Sequence, residues 1–95
     1  MDLYDLLDEV KDRESFLTFV RALYQDREEE VKYEKINPSP PYSPGANGWE
    51  NGSIESFLEA AVACTEDSLG SEHEMPAEPQ WQAFANFLMA GKVYE

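Results

Sequence analysis

Ninety-five residues, 42% of them hydrophobic and 13% aromatic, are enough for one packed core and too few for two. Twenty acidic side chains against seven basic ones leave a net charge of −13. That field repels nucleic-acid phosphates and anionic lipid headgroups, so direct binding to DNA, RNA or a membrane surface is the wrong class.

Leu3, Leu6, Leu7 and Val10 recur at helical spacing and predict a short amphipathic helix over 2–11. The apolar phase breaks at Arg13 and Glu14, and Asp12 is a suitable N-cap for a new start. Phe16, Phe19, Val20 and Leu23, widened by Leu17 and Tyr24, predict a second helix over 13–30. Its end is ambiguous: from Asp26 to Lys35 only Val31 and Tyr33 are apolar, which reads as a solvated extension or a frayed end.

Four prolines and two glycines fall between Asn37 and Gly48, so no helix crosses 37–48. Pro38-Ser39-Pro40-Pro41 and Pro41-Tyr42-Ser43-Pro44 fit the loose P-x-x-P form of SH3 ligands, but a stiff linker is the simpler reading of so short a pattern. Asn51-Gly52-Ser53 matches a glycosylation sequon and more plainly starts a third helix, over 53–67, whose stripe is Ile54, Phe57, Leu58, Ala61 and Val62. An acidic loop at 68–78 follows. Pro79 near the first position and Gly91 just past the end bracket a fourth helix over 79–90, with Trp81, Phe84, Ala85, Leu88 and Met89 as its stripe.

The expected fold is therefore all-α: one domain over 1–95, a small bundle of about four helices with a Pro-rich loop between the second and third. Phe16, Val20, Leu23, Phe57, Leu58, Ala61, Trp81, Phe84 and Leu88 are its expected core.

Catalytic chemistry finds little support. His73 sits alone between Glu72 and Glu74, a poor beginning for a metal site, and Glu28-Glu29-Glu30 radiate to different sides of a helix. Cys64, the one cysteine, excludes an intramolecular disulfide and lies near an apolar stripe, where thiols are inert filler. Glu55 and Glu59 are one turn apart but have nothing to desolvate either of them. With no nucleophile elbow, phosphate loop or dinucleotide fingerprint, we expect a non-enzyme without cofactor or metal. The acidic opening Met1-Asp2-Leu3-Tyr4-Asp5 does not resemble a secretory leader and the longest apolar run is Ala60 to Cys64, so a cytoplasmic location is expected.

Two segments are more distinctive. Trp49-Glu50-Asn51-Gly52-Ser53-Ile54-Glu55-Ser56-Phe57-Leu58-Glu59-Ala60-Ala61 resembles the signature of an uncharacterised family of small bacterial proteins, a domain of unknown function. Trp81-Gln82-Ala83-Phe84-Ala85, Leu88 and Ala90-Gly91-Lys92-Val93-Tyr94-Glu95 resemble that family's closing pattern, and Phe16 to Leu23 its F-x-x-F-V-x-x-L helix. Such relatives often carry an aromatic residue near the position of Cys64. The resemblance implies a bacterial origin and this fold, and nothing about mechanism.

Charge distribution suggests a partner. Residues 1–35 carry eleven acids and six bases, whereas residues 36–91 carry eight acids and no Lys or Arg. The leading expectation is a non-enzymatic interaction protein, an acidic inhibitor or immunity protein that masks a basic protein through Glu55, Glu59, Glu66, Asp67, Glu72 and Glu74. The alternative is a small-ligand-binding or enzyme-accessory domain with an aromatic pocket of Trp49, Trp81 and Tyr94. A mimic of DNA charge is a third reading, and plain solubility accounts for the acids equally well.

Overall fold

Three of the four helix starts in this chain are written by short side-chain caps. In the computed structural model, which describes residues 2–40, 44–71, 75–76 and 79–94, four helices follow one another: α1 (Leu3–Asp8), α2 (Arg13–Ile36), α3 (Ile54–Asp67) and α4 (Trp81–Val93). No strand occurs among the described residues. The protein is a small all-α bundle.

Asp2 accepts from the Asp5 amide to open α1, and Ser53 accepts from the Ser56 amide to open α3. Helix α1 stops three residues short of its expected end because the following turn is committed to the next cap. Ser15 Oγ accepts from the amides of both Lys11 and Asp12, while Asp12 Oδ1 accepts from the Ser15 amide at 2.8 Å. Helix α2 runs to Ile36, six residues past the expected boundary, so the charged stretch 26–36 is helical. It ends where Pro38 disfavours helical geometry at Asn37, and Lys35 in the last turn suits the helix dipole.

Helix α4 starts two residues later than expected and continues through Gly91. This glycine is therefore no C-terminal stop. A Cβ there would lie 2.7 Å from the Phe57 ring, so the missing side chain at Gly91 makes room for Phe57 of α3. Ala60 and Ala61 on α3, with Ala83 and Ala85 on α4, are also buried. Small residues let these two helices lie close along their length.

Helix α4 is the hub: it packs against α1, α2 and α3, whereas α2 and α3 do not pack on each other. The buried cluster is Val10, Phe19, Leu23, Trp49, Ala85 and Met89. Of the expected core, Leu23 and Ala61 are buried, and Phe16, Val20, Phe57 and Leu88 pack against the cluster half-buried. Leu58, Trp81 and Phe84 are exposed instead. A five-position stripe is wider than one neighbouring helix, so its outer edge emerges. On α4 the outer edge is capped aromatically, Phe16 standing 5.2 Å from Trp81 and 6.4 Å from Phe84 between ring centroids. On α3 it is bare: Ile54, Leu58 and Val62 are 79%, 50% and 47% exposed.

Candidate functional site

The charged half of α2 is where the Pro/Gly-rich connection docks. Asp26, Glu30 and Glu34 are spaced four apart and so share one helix face. Each receives donors from the segment 39–49. Glu30 is only 1% exposed; its Oε1 accepts from the amides of Asn47 at 2.9 Å and Trp49 at 3.3 Å, and its Oε2 pairs with Arg27 Nη1 at 2.7 Å. A buried carboxylate is tolerable only when paired and hydrogen-bonded in this way. At Gly45 a Cβ would sit 2.2 Å from the Glu30 carboxyl carbon, so any larger residue would displace that carboxylate from the loop amides. Gly48, at φ +83°, turns the chain in the left-handed region. Glu34 accepts from the Ser39 hydroxyl and amide and from the Ala46 amide, and the two Ser39 bonds, hydroxyl first, hold its carboxyl below the ordinary 4.5.

Asp26 completes the row. Its Oδ2 accepts from the Trp49 indole N–H at 2.8 Å and pairs with Lys92 Nζ at 2.9 Å. Lys92 Nζ and Arg27 Cζ lie 5.6 and 5.8 Å from the Trp49 ring centroid, within cation–π range. The two distinctive segments thus meet. The Glu50 amide donates to Lys92 O, and Asn51 Nδ2 donates to the carbonyls of Gly91 and Tyr94 at 3.0 and 2.9 Å. Trp49 stacks on Phe57 at 6.0 Å. This knot anchors the loop and the end of α4; its polar groups are spent on one another.

Above the knot an apolar groove of about 420 Å³ opens between α2 and α3. Helix α2 contributes Val20, Leu23, Tyr24 and Arg27, α3 contributes Ile54, Phe57 and Leu58, α4 contributes Leu88, and Trp49 belongs to the same lining. The groove exists because α2 and α3 do not close on each other. Its outer shoulder on α3 is a second depression of about 480 Å³ lined by Leu58, Glu59, Val62, Ala63, Glu66 and Asp67. Glu55, Glu59 and Glu66 are exposed and hold no ion pair or side-chain hydrogen bond among the described residues.

Of the acids expected to face a partner, Glu55, Glu59 and Glu66 thus share one side of α3. Asp67 lies at its end, where its carboxylate accepts from the Tyr94 hydroxyl. Glu72 and Glu74, like His73, lie outside the described residues, as do positions 41–43 of the P-x-x-P matches. The expected aromatic pocket is not assembled: Trp49 lines the groove, Trp81 packs with Phe16 and Phe84, and Tyr94 clamps onto Asp67. Cys64 is half-buried in a small crevice with Met75, Ala83 and Phe87. No cluster of three or more potential metal-ligating side chains occurs among the described residues, and no helix is long and apolar enough to cross a membrane.

Sequence reasoning missed the Asp26–Glu30–Glu34 row and the exposed aliphatic edge of α3. The row's signal was its four-residue spacing; the edge had none, since periodicity does not say how many neighbours a stripe will find.

Residues 12–95 match the model of a family of unknown function (DUF7660). No curated protein and no solved structure matches the chain significantly. The knot and the groove both lie within the matched span, which leaves out only the segment carrying α1. With all but its first eleven residues matched, the chain belongs to this family of unknown function.

Proposed function

We propose that this protein is a non-enzymatic interaction module of the cytoplasm, an acidic inhibitor or immunity protein that masks a basic protein partner. The observation that carries this reading is the state of Glu55, Glu59 and Glu66, exposed together on α3 with no ion pair among the described residues. Six of the seven Lys and Arg residues lie in the turn before α2 (Lys11) or on α2 itself; Lys92, the one Lys or Arg beyond residue 35, is paired with Asp26. An uncompensated acidic face accelerates encounter with a cationic surface and is relieved by it.

Affinity capture followed by identification of the bound protein tests the reading. A basic partner is expected, associating more slowly with the Glu55→Lys/Glu59→Lys/Glu66→Lys variant, most visibly at low salt. Capture of an acidic or neutral partner, or association unchanged by the triple reversal, refutes it. The small-ligand reading retains one supporting feature, the Trp49 ring in the groove, and a ligand-induced change in Trp49 fluorescence would favour it.

A further inference from the structure

We propose that the α2–α3 groove seats an amphipathic α-helix of the basic partner, its apolar ridge packed over Leu23, Trp49 and Leu58 and its Lys and Arg residues flanking toward Glu55, Glu59 and Glu66. The proposal rests on the preceding reading that the partner is basic, and adds where and in what form it binds.

Shape argues for a helix. Ile54 and Leu58 line the α3 edge of the groove four residues apart, and Val62, four further on, carries the same row into the neighbouring depression; on α2, Tyr24 lines the groove and the exposed Leu17 and Val31 stand seven residues to either side of it. These are the spacings at which helices meet helices, and a gap between two helices accepts a third through its ridge. Exposed apolar area of this continuity marks an interaction surface rather than ordinary scatter.

Charge argues for the flank. Inside the groove the lining is mostly apolar, Arg27 is paired with Glu30, and Asn51 Nδ2 is engaged by the Gly91 and Tyr94 carbonyls. On the α3 side the charges without a partner among the described residues are Glu55, Glu59 and Glu66. An occupant therefore needs an apolar stripe in the centre and cations on the α3 side. A second copy of this chain is opposed by its charge, since it would bring −13 against −13 and set glutamate against glutamate along α3.

Three synthetic peptides of α3's length test the proposal: a Leu/Lys sequence with helical periodicity, the same composition scrambled, and a Leu/Glu helix. Binding is read by Trp49 fluorescence in a Trp81→Phe background, and repeated with Leu58→Asp, which alters an exposed side chain and leaves the core intact. The periodic Leu/Lys peptide should bind at least tenfold tighter than the scrambled one, and Leu58→Asp should remove that advantage with the melting temperature unchanged. Equal binding of the two cationic peptides, insensitive to Leu58→Asp, overturns the groove while leaving the acidic surface intact as a site. Preference for the Leu/Glu helix overturns both. Sedimentation showing a dimer that Leu58→Asp dissociates assigns the groove to a second copy and also overturns the proposal.

Discussion

Two acidic surfaces of this molecule look alike in sequence and behave oppositely in structure. Asp26, Glu30 and Glu34 on α2 each meet donors from a loop that would otherwise have bare amides. Glu55, Glu59 and Glu66 on α3 meet none among the described residues. The difference lies in what passes alongside. A proline- and glycine-rich segment has few internal backbone bonds and must spend its N–H groups elsewhere, so carboxylates beside it become scaffold. Carboxylates beside an exposed aliphatic edge have no such duty.

The sharpest way to break this comparison is at Glu30. Glu30→Ala leaves the Asn47 and Trp49 amides without their acceptor and removes the partner of the part-exposed Arg27, and should cost about 3 kcal/mol in urea unfolding. A cost near zero would make the α2 row as dispensable as the α3 one. Asp26→Ala comes next. It removes the acceptor of the Trp49 indole and the counterion of Lys92, with an expected loss of about 2 kcal/mol and a red-shifted Trp49 emission.

Glu34 gives a smaller, pH-dependent effect. Its carboxyl titrates below 4.5 in the folded chain, so its contribution is complete above that value and disappears as pH falls through the folded one. The stability gap between the wild type and Glu34→Gln should therefore be constant near neutrality and close in acid. A gap that widens in acid contradicts the assigned hydrogen bonds. The least effect is expected on α3: reversing Glu55, Glu59 and Glu66 to Lys should change stability by no more than about 0.5 kcal/mol, toward stabilisation, by thermal melting. A large loss would mean these acids have structural partners after all.

Much of the fold was legible in the residues. Asp12 and Ser53 announced their helices, and four apolar stripes gave four elements. Burial was harder to read. The Phe57/Ala61 side of the α3 stripe found α4, while the Ile54/Leu58/Val62 side found no neighbour, and hydrophobicity is the same on both. The run after Asp26 is open in sequence, extension or frayed end, for a related reason: what holds it helical is a loop whose docking only three dimensions reveal. Gly91 had the composition of a stop signal, yet its missing side chain serves Phe57 instead.

The Asp26–Lys92 pair joins residues 66 positions apart, and that span orders events in time. The chain entropy lost in closing such a loop grows only slowly with length, so the closure is affordable. It must nevertheless await the last helix. During synthesis α2 emerges early with its carboxylates facing water, and the proline-rich connection has a docking face before it has a lid. Trp49 gains its lysine, and Asn51 its two carbonyls, only once residues 91–94 have left the ribosome. Until then the groove lacks Leu88, the residue that α4 contributes to its lining, and α3 lacks the helix against which it packs.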